Sequence, residues 1–403
     1  MEIFLARQPI FDRQQHVYGY ELLYRSGLSN FYDNSNDDNA TASVLTNSFL
    51  SIGMGKVTSG KIGFINFTDA LLRSGAAELF PQESLGIEVS NSPEPNPEIF
   101  EICSQLQRAG YKIILDDFEK GDPENPLAQI ANVIKVDFLP DSDTEPVHID
   151  QLVGKSNATC LAKKVETVDA FDRAVDLGYT LFQGYFFAKP VIMAGKELSA
   201  HRMSYLGMLR ELNQPTIDFE KLENILGRDV TLTYKLLNYI NSPFFGLPNK
   251  IKNIRHALNM IGLSKARQWL SLLVLSSMGS DKSEELIVSC LIRARFFELI
   301  APKVGQEEDA SALFLMGLFS MIDALLDMPM TDILATLPLC EDVKSAILGR
   351  PGRYSDVYQL LVNFERGEWD PVCQYLARVN LVDYELPKYF LQAIQWSNDA
   401  LPR

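Results

Sequence analysis

The first half of the chain alternates short apolar runs with amphipathic helical patterns. Helical patterns separate most of these runs, for example 97–110, which ends in a glycine. Seven runs have the composition of β-strands, and they cover 16–25, 62–67, 85–90, 112–118, 133–138, 158–165 and 181–187. Strand and helix units repeated in this number predict a parallel sheet that closes into a (βα) barrel. The sequence therefore predicts an α/β domain over about residues 1–195.

The strand that ends at Asp116 and Asp117 carries the strongest indication of a site. Ile113, Ile114 and Leu115 show no polar alternation, which is typical of a strand covered on both faces. Two adjacent carboxylates repel each other unless a cation or a proton offsets their charge, so this strand end favours a divalent metal site. The alternative is a transition from strand to loop in which an Asp caps a turn. The residues alone leave both interpretations open.

Polar residues lie in or after several other strand-like runs. In a barrel, the carboxyl ends of the strands converge on one face, where active sites are built. The polar residues in such positions are Glu21, Asn66, Glu88, Asp116, Asp117, Lys135 and Glu166. Because they come from successive strands, they predict a common site at one end of the barrel.

The second half of the chain has a different pattern. From about residue 203, amphipathic helical segments follow one another with Pro or Gly at most joints, which predicts an all-α domain over 203–403. The net charge of −15 argues against binding of nucleic acid or of an anionic membrane. No apolar run reaches the roughly 18 to 20 residues of a membrane span. We therefore expect a cytoplasmic protein whose partners are proteins or ligands accompanied by cations.

The first half resembles the EAL domain, the barrel of cyclic di-GMP phosphodiesterases. The motifs occur in the family's order over about 190 residues, and they imply a TIM-like (βα) barrel. The matching stretches are Glu21-Leu22-Leu23-Tyr24-Arg25, Phe64-Ile65-Asn66-Phe67, Glu88-Val89-Ser90-Asn91, Asp116-Asp117-Phe118-Glu119-Lys120-Gly121, Lys135-Val136-Asp137, Ala162-Lys163-Lys164-Val165-Glu166-Thr167 and Gln183-Gly184-Tyr185.

The resemblance also implies roles for individual residues. Lys135 would orient the attacking water, and Arg25 would meet substrate phosphate. Gln183 and Glu166 occupy a substrate-binding and a catalytic position, although Gln183 is also expected simply to end the last strand. A divalent metal, Mg²⁺ or Mn²⁺, would be held by Glu21, Asn66, Glu88 and Asp116, with Asp117 beside a second ion.

Several positions depart from the family's pattern. Lys163 stands where the family has a catalytic glutamate, Lys164 where a glycine is expected, and Asn91 where a second glutamate is expected. The loop after Asp117 carries Glu119 and Lys120. A lysine at position 163 either repels the metal or pairs with a carboxylate and replaces the metal as counter-charge.

We expect the second outcome for Lys163, namely a salt-bridged site that holds no metal and needs no cofactor. The roles implied for Lys135, Glu166, Arg25 and Gln183 are then vestigial, as are the five metal positions. The alternative is that metal binding persists and that the chain is an active or weakly active cyclic di-GMP phosphodiesterase, with Mg²⁺ or Mn²⁺ as its cofactor.

The second half resembles the HDOD domain, a helical relative of HD-type metal-dependent phosphohydrolases that lacks their ligands. The matching stretches are 236–246, 254–262 and 314–322. Adjacent His and Asp of active HD enzymes are replaced by Ser320 and Met321, and His256 is expected to be a packed or capping residue. Residues 241–246 and Trp269 indicate either an exposed partner groove or, more simply, core packing.

These observations predict an EAL-type barrel followed by an HDOD-like helical bundle, each without a complete set of ligands. The interpretation is a catalytically degenerate bacterial signal-transduction protein in a cyclic di-GMP-related network. It would act through protein partners that bind the HDOD-like domain. Cyclic di-GMP is a further candidate ligand, and a homo-oligomer is compatible with the sequence.

Overall fold

The computed structural model describes residues 3–26, 53–91, 96–118, 125–138, 158–188, 200–227, 236, 254–278, 282–381 and 385–400. The predictions for Glu119, Lys120 and the stretch 241–246 lie outside these residues, as does the side chain of Arg25.

The first part of the chain is a closed barrel of eight strands. Neighbouring strands pair in chain order, and the last strand closes on the first. The strands are β1 Ile3–Asp12, β2 Val17–Ser26, β3 Ile62–Asn66, β4 Leu85–Ser90, β5 Lys112–Asp116, β6 Val133–Asp137, β7 Thr159–Lys163 and β8 Leu181–Gln183. This closure confirms the predicted barrel.

Strand β1 is the element that the sequence patterns omit. It runs antiparallel to both β2 and β8, whereas β2 to β8 run parallel to one another. A tight turn joins β1 to β2, because Oδ1 of Asp12 accepts hydrogen bonds of 2.9 Å from the N–H groups of Gln14 and His16. The polar residues and the proline within 7–9 interrupt the apolar pattern of β1, which explains why composition does not mark it as a strand.

Short helices connect the barrel strands. Four of them begin after Thr68, Asn96, Asn125 and Thr167, whose side chains accept a hydrogen bond from a first-turn N–H group. The helices are α1 Met54–Val57, α2 Asp69–Arg73, α3 Pro97–Arg108, α4 Pro126–Ile130 and α5 Val168–Asp176, with 3-10 turns at Ala76–Leu79 and Tyr185–Ala188.

The strand side chains that point to one face of the sheet form two layers, one apolar and one polar. An apolar cluster contains Ile10, Phe64, Ile114, Val133, Leu161 and Leu181. Side chains two residues apart in a strand point to the same face. Two positions further toward the barrel opening in each strand stand Gln8, Asn66, Asp116, Lys135, Lys163 and Gln183; we call these residues, together with Glu21 and Glu88, the polar layer.

Two glycines make room in the apolar layer below the two glutamates. Gly19 and Gly86 stand two residues before Glu21 and Glu88. A Cβ atom at Gly86 would lie 2.7 Å from Cδ1 of Ile114 and 2.8 Å from Cδ1 of Phe64. Large neighbours therefore fill the space that a side chain at this position would take.

The described residues from 200 onward contain helices and no strand, as the sequence predicts. None of the described helices is both long and apolar enough to span a bilayer. The helices are α6 Ala200–Leu212, α7 Phe219–Gly227, α8 Ile254–Ile261, α9 Leu263–Met278, α10 Glu284–Ile300, α11 Ala310–Phe319, α12 Ile322–Leu326, α13 Met330–Thr336, α14 Glu341–Ile347, α15 Ser355–Arg366, α16 Trp369–Val379 and α17 Glu385–Ala400, with a 3-10 turn at Glu307–Asp309.

The chain forms two compact units. The first contains Met1–Lys189 together with Leu360–Ala377 and Val382–Gln395. The second contains Pro190–Gln359, Arg378–Leu381 and Trp396–Arg403. Helical residues near the C-terminus thus belong to the same unit as the barrel, while the boundaries at 195 and 203 stay a prediction about folding domains.

The core of the second unit includes the closely packed pair α10 and α11. A Cβ atom at Gly317 in α11 would lie 2.4 Å from the backbone nitrogen of Ala294 in α10, so the two backbones touch at this point. Trp269 of α9 is 7% exposed and its neighbour Leu270 is fully buried. Trp269 is therefore part of the packed core and does not line an exposed groove.

Candidate functional site

Lys135 lies at the centre of the polar layer. Its side chain is fully buried, and Nζ lies 2.9 Å from Oε2 of Glu21 and 2.8 Å from Oε1 of Glu88. Oδ2 of Asp116 is 3.7 Å away from the same nitrogen. A buried ammonium group needs anionic partners. Strands β2, β4 and β5 supply them.

Lys163 neutralises the strand-end pair of aspartates. Nζ of Lys163 lies 2.5 Å from Oδ1 of Asp116, 2.8 Å from Oδ1 of Asp117 and 3.4 Å from Oδ1 of Asp137. The side chains of Lys163 and Asp116 are only 14% and 12% exposed. The neighbouring Lys164 forms a more exposed pair with Oδ2 of Asp137 at 2.6 Å. The ammonium group of Lys163 therefore holds the Asp116-Asp117 pair together.

The backbone at Asp117 supports this arrangement. Asp117 adopts a left-handed conformation with a φ of 51°, and its N–H group donates a hydrogen bond of 2.8 Å to Oδ1 of Asp116. The side chain of Asp116 thus caps the turn that follows β5. The pair thus makes the turn contact of the second interpretation, and its counter-charge in the structure is the ammonium group of Lys163.

Burial and neighbouring carboxylates act in opposite directions on the pKa of each lysine, and the carboxylates have the larger effect. Burial lowers the pKa of Lys135, but Glu21, Glu88 and Asp116 outweigh this effect and raise it above its usual range. Burial likewise lowers the pKa of Lys163, and its contacts with Asp116 and Asp117 raise it further than burial lowers it. Both lysines are therefore charged at neutral pH.

The carboxyl groups of Glu88 and Asp116 differ in their tendency to ionise. Burial, followed by the charge of Glu21, raises the pKa of Glu88 well above its ordinary value. Burial also favours the neutral form of Asp116, but Lys135, the hydrogen bond with Glu88 and Lys163 together lower its pKa. Oε2 of Glu88 is buried and receives no hydrogen bond from the described residues.

Gln183 and Gln8 extend the polar layer to β8 and β1. Nε2 of Gln183 donates hydrogen bonds to Oε2 of Glu21 at 2.6 Å and to Oε1 of Gln8 at 3.0 Å. Gln183 is 5% exposed. It therefore orients Glu21 as well as ending the last strand.

A cavity of about 710 Å³ opens onto this layer. Asn91 also lines it, and Oδ1 of Asn91 accepts a hydrogen bond from Asn125, the residue that caps α4. The wall of the cavity is formed by Glu21, Leu22, Leu23, Asn66, Phe67, Thr68, Asp69, Glu88, Val89, Ser90, Asn91, Asn96, Ile99, Asp116, Leu127 and Trp369.

The cavity contains the oxygen donors that a divalent metal prefers, but these donors are not arranged around a metal position. Carboxylate and amide oxygens are the donors that Mg²⁺ and Mn²⁺ prefer. Among the described residues, however, no group of three or more His, Cys, Asp or Glu side chains is placed to hold a metal ion. Lys135 lies between Glu21 and Glu88, and Lys163 lies against both Asp116 and Asp117. The site as arranged does not fit a pair of divalent ions.

Most of the site residues predicted from the sequence lie together at the barrel opening, and Glu166 lies apart from them. Asn66 is exposed at the end of β3 and lines the cavity with Glu21, Glu88 and Asp116. Glu166 is exposed after β7 and is not among the lining residues. Trp369 was not expected in the site from the sequence, because no local pattern links a helix near the C-terminus to the barrel.

Ser320 and Met321, which stand where the resemblance places HD-type ligands, make other contacts in the second unit. Ser320 is buried, donates a hydrogen bond of 2.7 Å to the carbonyl of Gly317 and lies 3.2 Å from Nη1 of Arg293. Met321 is 5% exposed, and His256 is exposed on α8. The guanidinium group of Arg293 therefore lies next to Ser320.

Known proteins resemble the whole chain. The HDOD domain model matches residues 201–332. The chain is 36% identical to Uncharacterized protein YuxH of Bacillus subtilis, over 100% of this chain and 99% of that protein. It is 32% identical to Cyclic di-GMP phosphodiesterase CdgJ of Vibrio cholerae, over 98% of this chain and 92% of that protein.

A solved structure matches part of the chain. It is the Bacillus subtilis YkuI protein, with an EAL domain, in complex with substrate c-di-GMP and calcium. The match has 17% identity and a TM-score of 0.38, and it covers 64% of this chain and 73% of that one. On the full-length similarity, the chain belongs to the same family as YuxH and CdgJ, and it has a closed eight-stranded barrel in its first half and a match to the HDOD domain in its second.

Proposed function

We propose that this protein is a catalytically degenerate signal-transduction protein of a cyclic di-GMP network, which transmits its state through protein contacts. The observation that carries the proposal is the placement of Lys163, whose Nζ lies 2.5 Å from Asp116 and 2.8 Å from Asp117. In this proposal the metal positions are vestigial, and the acidic layer persists because two lysines neutralise it.

The cost of adding a metal supports this proposal. If a divalent ion were placed roughly 5 Å from the ammonium group of Lys163, the repulsion at an effective dielectric near 20 would be about 6 to 7 kcal/mol before relaxation. Lys163 would have to leave Asp116 and Asp117 before an ion could bind there. The residues as arranged therefore favour the state without metal.

The roles of individual residues follow from this proposal. Lys135 acts as a buried counter-charge rather than as the group that orients water. Arg25 and Gln183 keep the places of substrate-binding residues, and Glu166 keeps the place of a catalytic one, without turnover. The same holds for the vestigial metal positions Glu21, Asn66, Glu88, Asp116 and Asp117.

The direct test is a hydrolysis assay on the full chain. Cyclic di-GMP is incubated with the protein in Mg²⁺ or in Mn²⁺, and chromatography follows the linear dinucleotide. We expect no release above the rate of a sample without protein. Release that disappears in Asp116→Asn, but persists in a control with Asp69→Asn on the cavity rim, would refute the proposal.

A second candidate function is weak or full cyclic di-GMP phosphodiesterase activity with Mg²⁺ or Mn²⁺. It is favoured by one observation: Glu88 lines the cavity, and its buried Oε2 receives no hydrogen bond from the described residues. The name of the relative CdgJ points the same way. In this case Lys163 would swing out when metal and substrate bind, and the hydrolysis assay would detect the product.

The helical unit supports the part of the proposal that concerns protein partners. Ser320 and Met321 offer no metal ligands comparable to the His and Asp that they replace. We therefore propose that the HDOD domain is a binding module. Sedimentation velocity of the full chain over a range of concentrations tests whether another copy of this chain is one of its partners.

A further inference from the structure

The C-terminal part of the barrel unit supplies one wall of the cavity. Trp369, the first residue of α16, lines the cavity together with Glu21 and Glu88. Residues 360–377 belong to the same compact unit as the barrel and lie beyond the segment 201–332 that matches the HDOD domain. The cavity is therefore made by two distant parts of the chain.

Three contacts fix the turn before Trp369 on the barrel. The backbone carbonyl of Arg366 accepts a hydrogen bond of 3.2 Å from Nε2 of Gln8, and the guanidinium carbon lies 5.4 Å from the ring centre of Tyr185. Gly367 has a φ of 71°, and a Cβ atom there would lie 2.6 Å from Cδ1 of Leu23. This position needs glycine both for its backbone conformation and for its close approach to β2.

Aromatic packing holds the ring of Trp369 in place. Its centre lies 5.8 Å from that of Phe364 at an interplanar angle of 84°, which is an edge-to-face arrangement. Phe364 is fully buried and packs against Phe390 at 5.0 Å. The indole ring of Trp369, which is only partly buried, is thus positioned before any ligand arrives.

Hydrogen bonds connect the same turn to the polar layer. Gln8 donates to the carbonyl of Arg366 and accepts from Gln183, and Gln183 donates to Glu21. Glu21 in turn contacts the ammonium group of Lys135. The turn before Trp369 and the carboxylates are therefore positioned by one continuous set of contacts.

The cavity lining contains two kinds of chemistry. Trp369, Leu23 and Ile99 offer aromatic and aliphatic surface, while Glu88, Glu21 and Asn66 offer oxygen atoms. A flat heteroaromatic ring with N–H groups on one edge matches both kinds of surface, and a purine base of the guanine type is such a ring.

We propose that Trp369 is a stacking surface for a purine base, so that the C-terminal segment completes a nucleotide pocket on the barrel. The inference rests on the proposed function, in which the barrel keeps the places of substrate-binding residues in a cyclic di-GMP network. It adds that binding requires residues 364–369, which neither the barrel strands nor the segment matched by the HDOD model provides.

The fluorescence of Trp369 provides the test. The chain has three tryptophans, so Trp269→Phe with Trp396→Phe leaves Trp369 as the single emitter in the full-length protein. We expect saturable quenching when cyclic di-GMP is added. Ribose 5-phosphate, which has no base, should leave the emission unchanged.

Calorimetric titration of cyclic di-GMP gives the second measurement. Because stacking on an aromatic side chain is worth about 1 to 3 kcal/mol per base, Trp369→Ala should weaken binding by about 5- to 150-fold. Trp369→Phe should keep most of the affinity, and the matched control Trp396→Phe, in the other unit, should keep all of it.

The outcomes separate this inference from the proposed function. If cyclic di-GMP binds with equal affinity to wild type and Trp369→Ala and does not quench Trp369, the inference is wrong and the lack of hydrolysis is untouched. If wild type does not bind cyclic di-GMP at all, the inference is likewise wrong. Release of linear dinucleotide would overturn the proposed function, whereas quenching and the effect of Trp369→Ala would still support the stacking role.

Discussion

Lys163 contacts carboxylates from two strands, since Asp116 and Asp117 lie at the end of β5 and Asp137 ends β6. A single ammonium group thus offsets much of the repulsion among three anions at the end of the barrel. In the proposed function, the lysine that stands in place of an acidic residue also supplies the positive charge that a metal would supply. One residue would in this way remove catalysis and keep the fold.

Removal of the charge at position 163 should destabilise the protein. In Lys163→Gln, measured in the presence of a chelator, Asp116 and Asp117 lose their counter-charge. Because Asp116 is mostly buried, we expect the free energy of unfolding to fall by about 1 to 3 kcal/mol. Urea unfolding followed by circular dichroism measures this change.

Lys164→Gln is the matched control for that substitution. Lys164 is 58% exposed and pairs only with Asp137 among the contacts described above, so its loss should cost less than about 1 kcal/mol. Equal losses of stability in the two variants would mean that Lys163 has no special role in neutralising the acidic layer.

The sequence was sufficient to predict which polar residues gather at the barrel opening, because the carboxyl ends of parallel strands must meet. The sequence allows two alternatives for Lys163, repulsion of a metal or pairing with a carboxylate. In the structure, Lys163 pairs with Asp116. The burial of Lys135 between Glu21 and Glu88 depends on side-chain conformations across strands that are far apart in sequence. Spacing along the chain carries no information about such conformations.

At the scale of elements, β8 is the strand on which closure of the barrel depends. Gly184 follows it with a φ of 152°, and a Cβ atom there would lie 2.0 Å from the carbonyl oxygen of Val165. The backbone of β8 and the loop after β7 therefore touch. The predicted strand over 181–187 was too long because the chain turns into a 3-10 helix at Tyr185–Ala188.

Gly184→Ala should destabilise the barrel. The clash with backbone atoms cannot be relieved by rotating a side chain, so we expect a loss of at least about 3 kcal/mol, toward the upper end for overpacking. Gly207→Ala is a control of opposite sign, since Gly207 lies within α6 with no other atom near its Cβ position and alanine favours helix by about 1 kcal/mol. Thermal unfolding of both variants measures the two effects, and a stable Gly184→Ala protein would contradict the described contact.

In the whole molecule, each compact unit combines segments that are far apart in the sequence. Leu360–Ala377 and Val382–Gln395 are helical and far from the barrel in sequence, yet they belong to its unit. Amphipathic periodicity predicts that these helices exist. It cannot predict which apolar surface they cover, because a helix stripe packs equally well against a helix or a strand.

The predicted domain 1–195 should therefore be incomplete as a fragment. Without residues 360–377, the side chain of Leu23 and the ring of Tyr185 lose partners, and we expect a loss of more than about 2 kcal/mol in the stability of the barrel. Hydrogen exchange of the amides of β2 to β4 compares the fragment with the full chain. Equal protection in both would show that the C-terminal segment adds nothing to the barrel, and that 1–195 is a complete folding domain.

In the proposed function, the ammonium group of Lys163 occupies the place of a divalent ion. Electron paramagnetic resonance of Mn²⁺ titrated into the full chain tests it, with Lys163→Glu and the control Lys164→Glu measured in parallel. We predict that wild type and Lys164→Glu leave Mn²⁺ free and that Lys163→Glu binds it. Binding of Mn²⁺ by wild type that is lost in Asp116→Asn would contradict the claim.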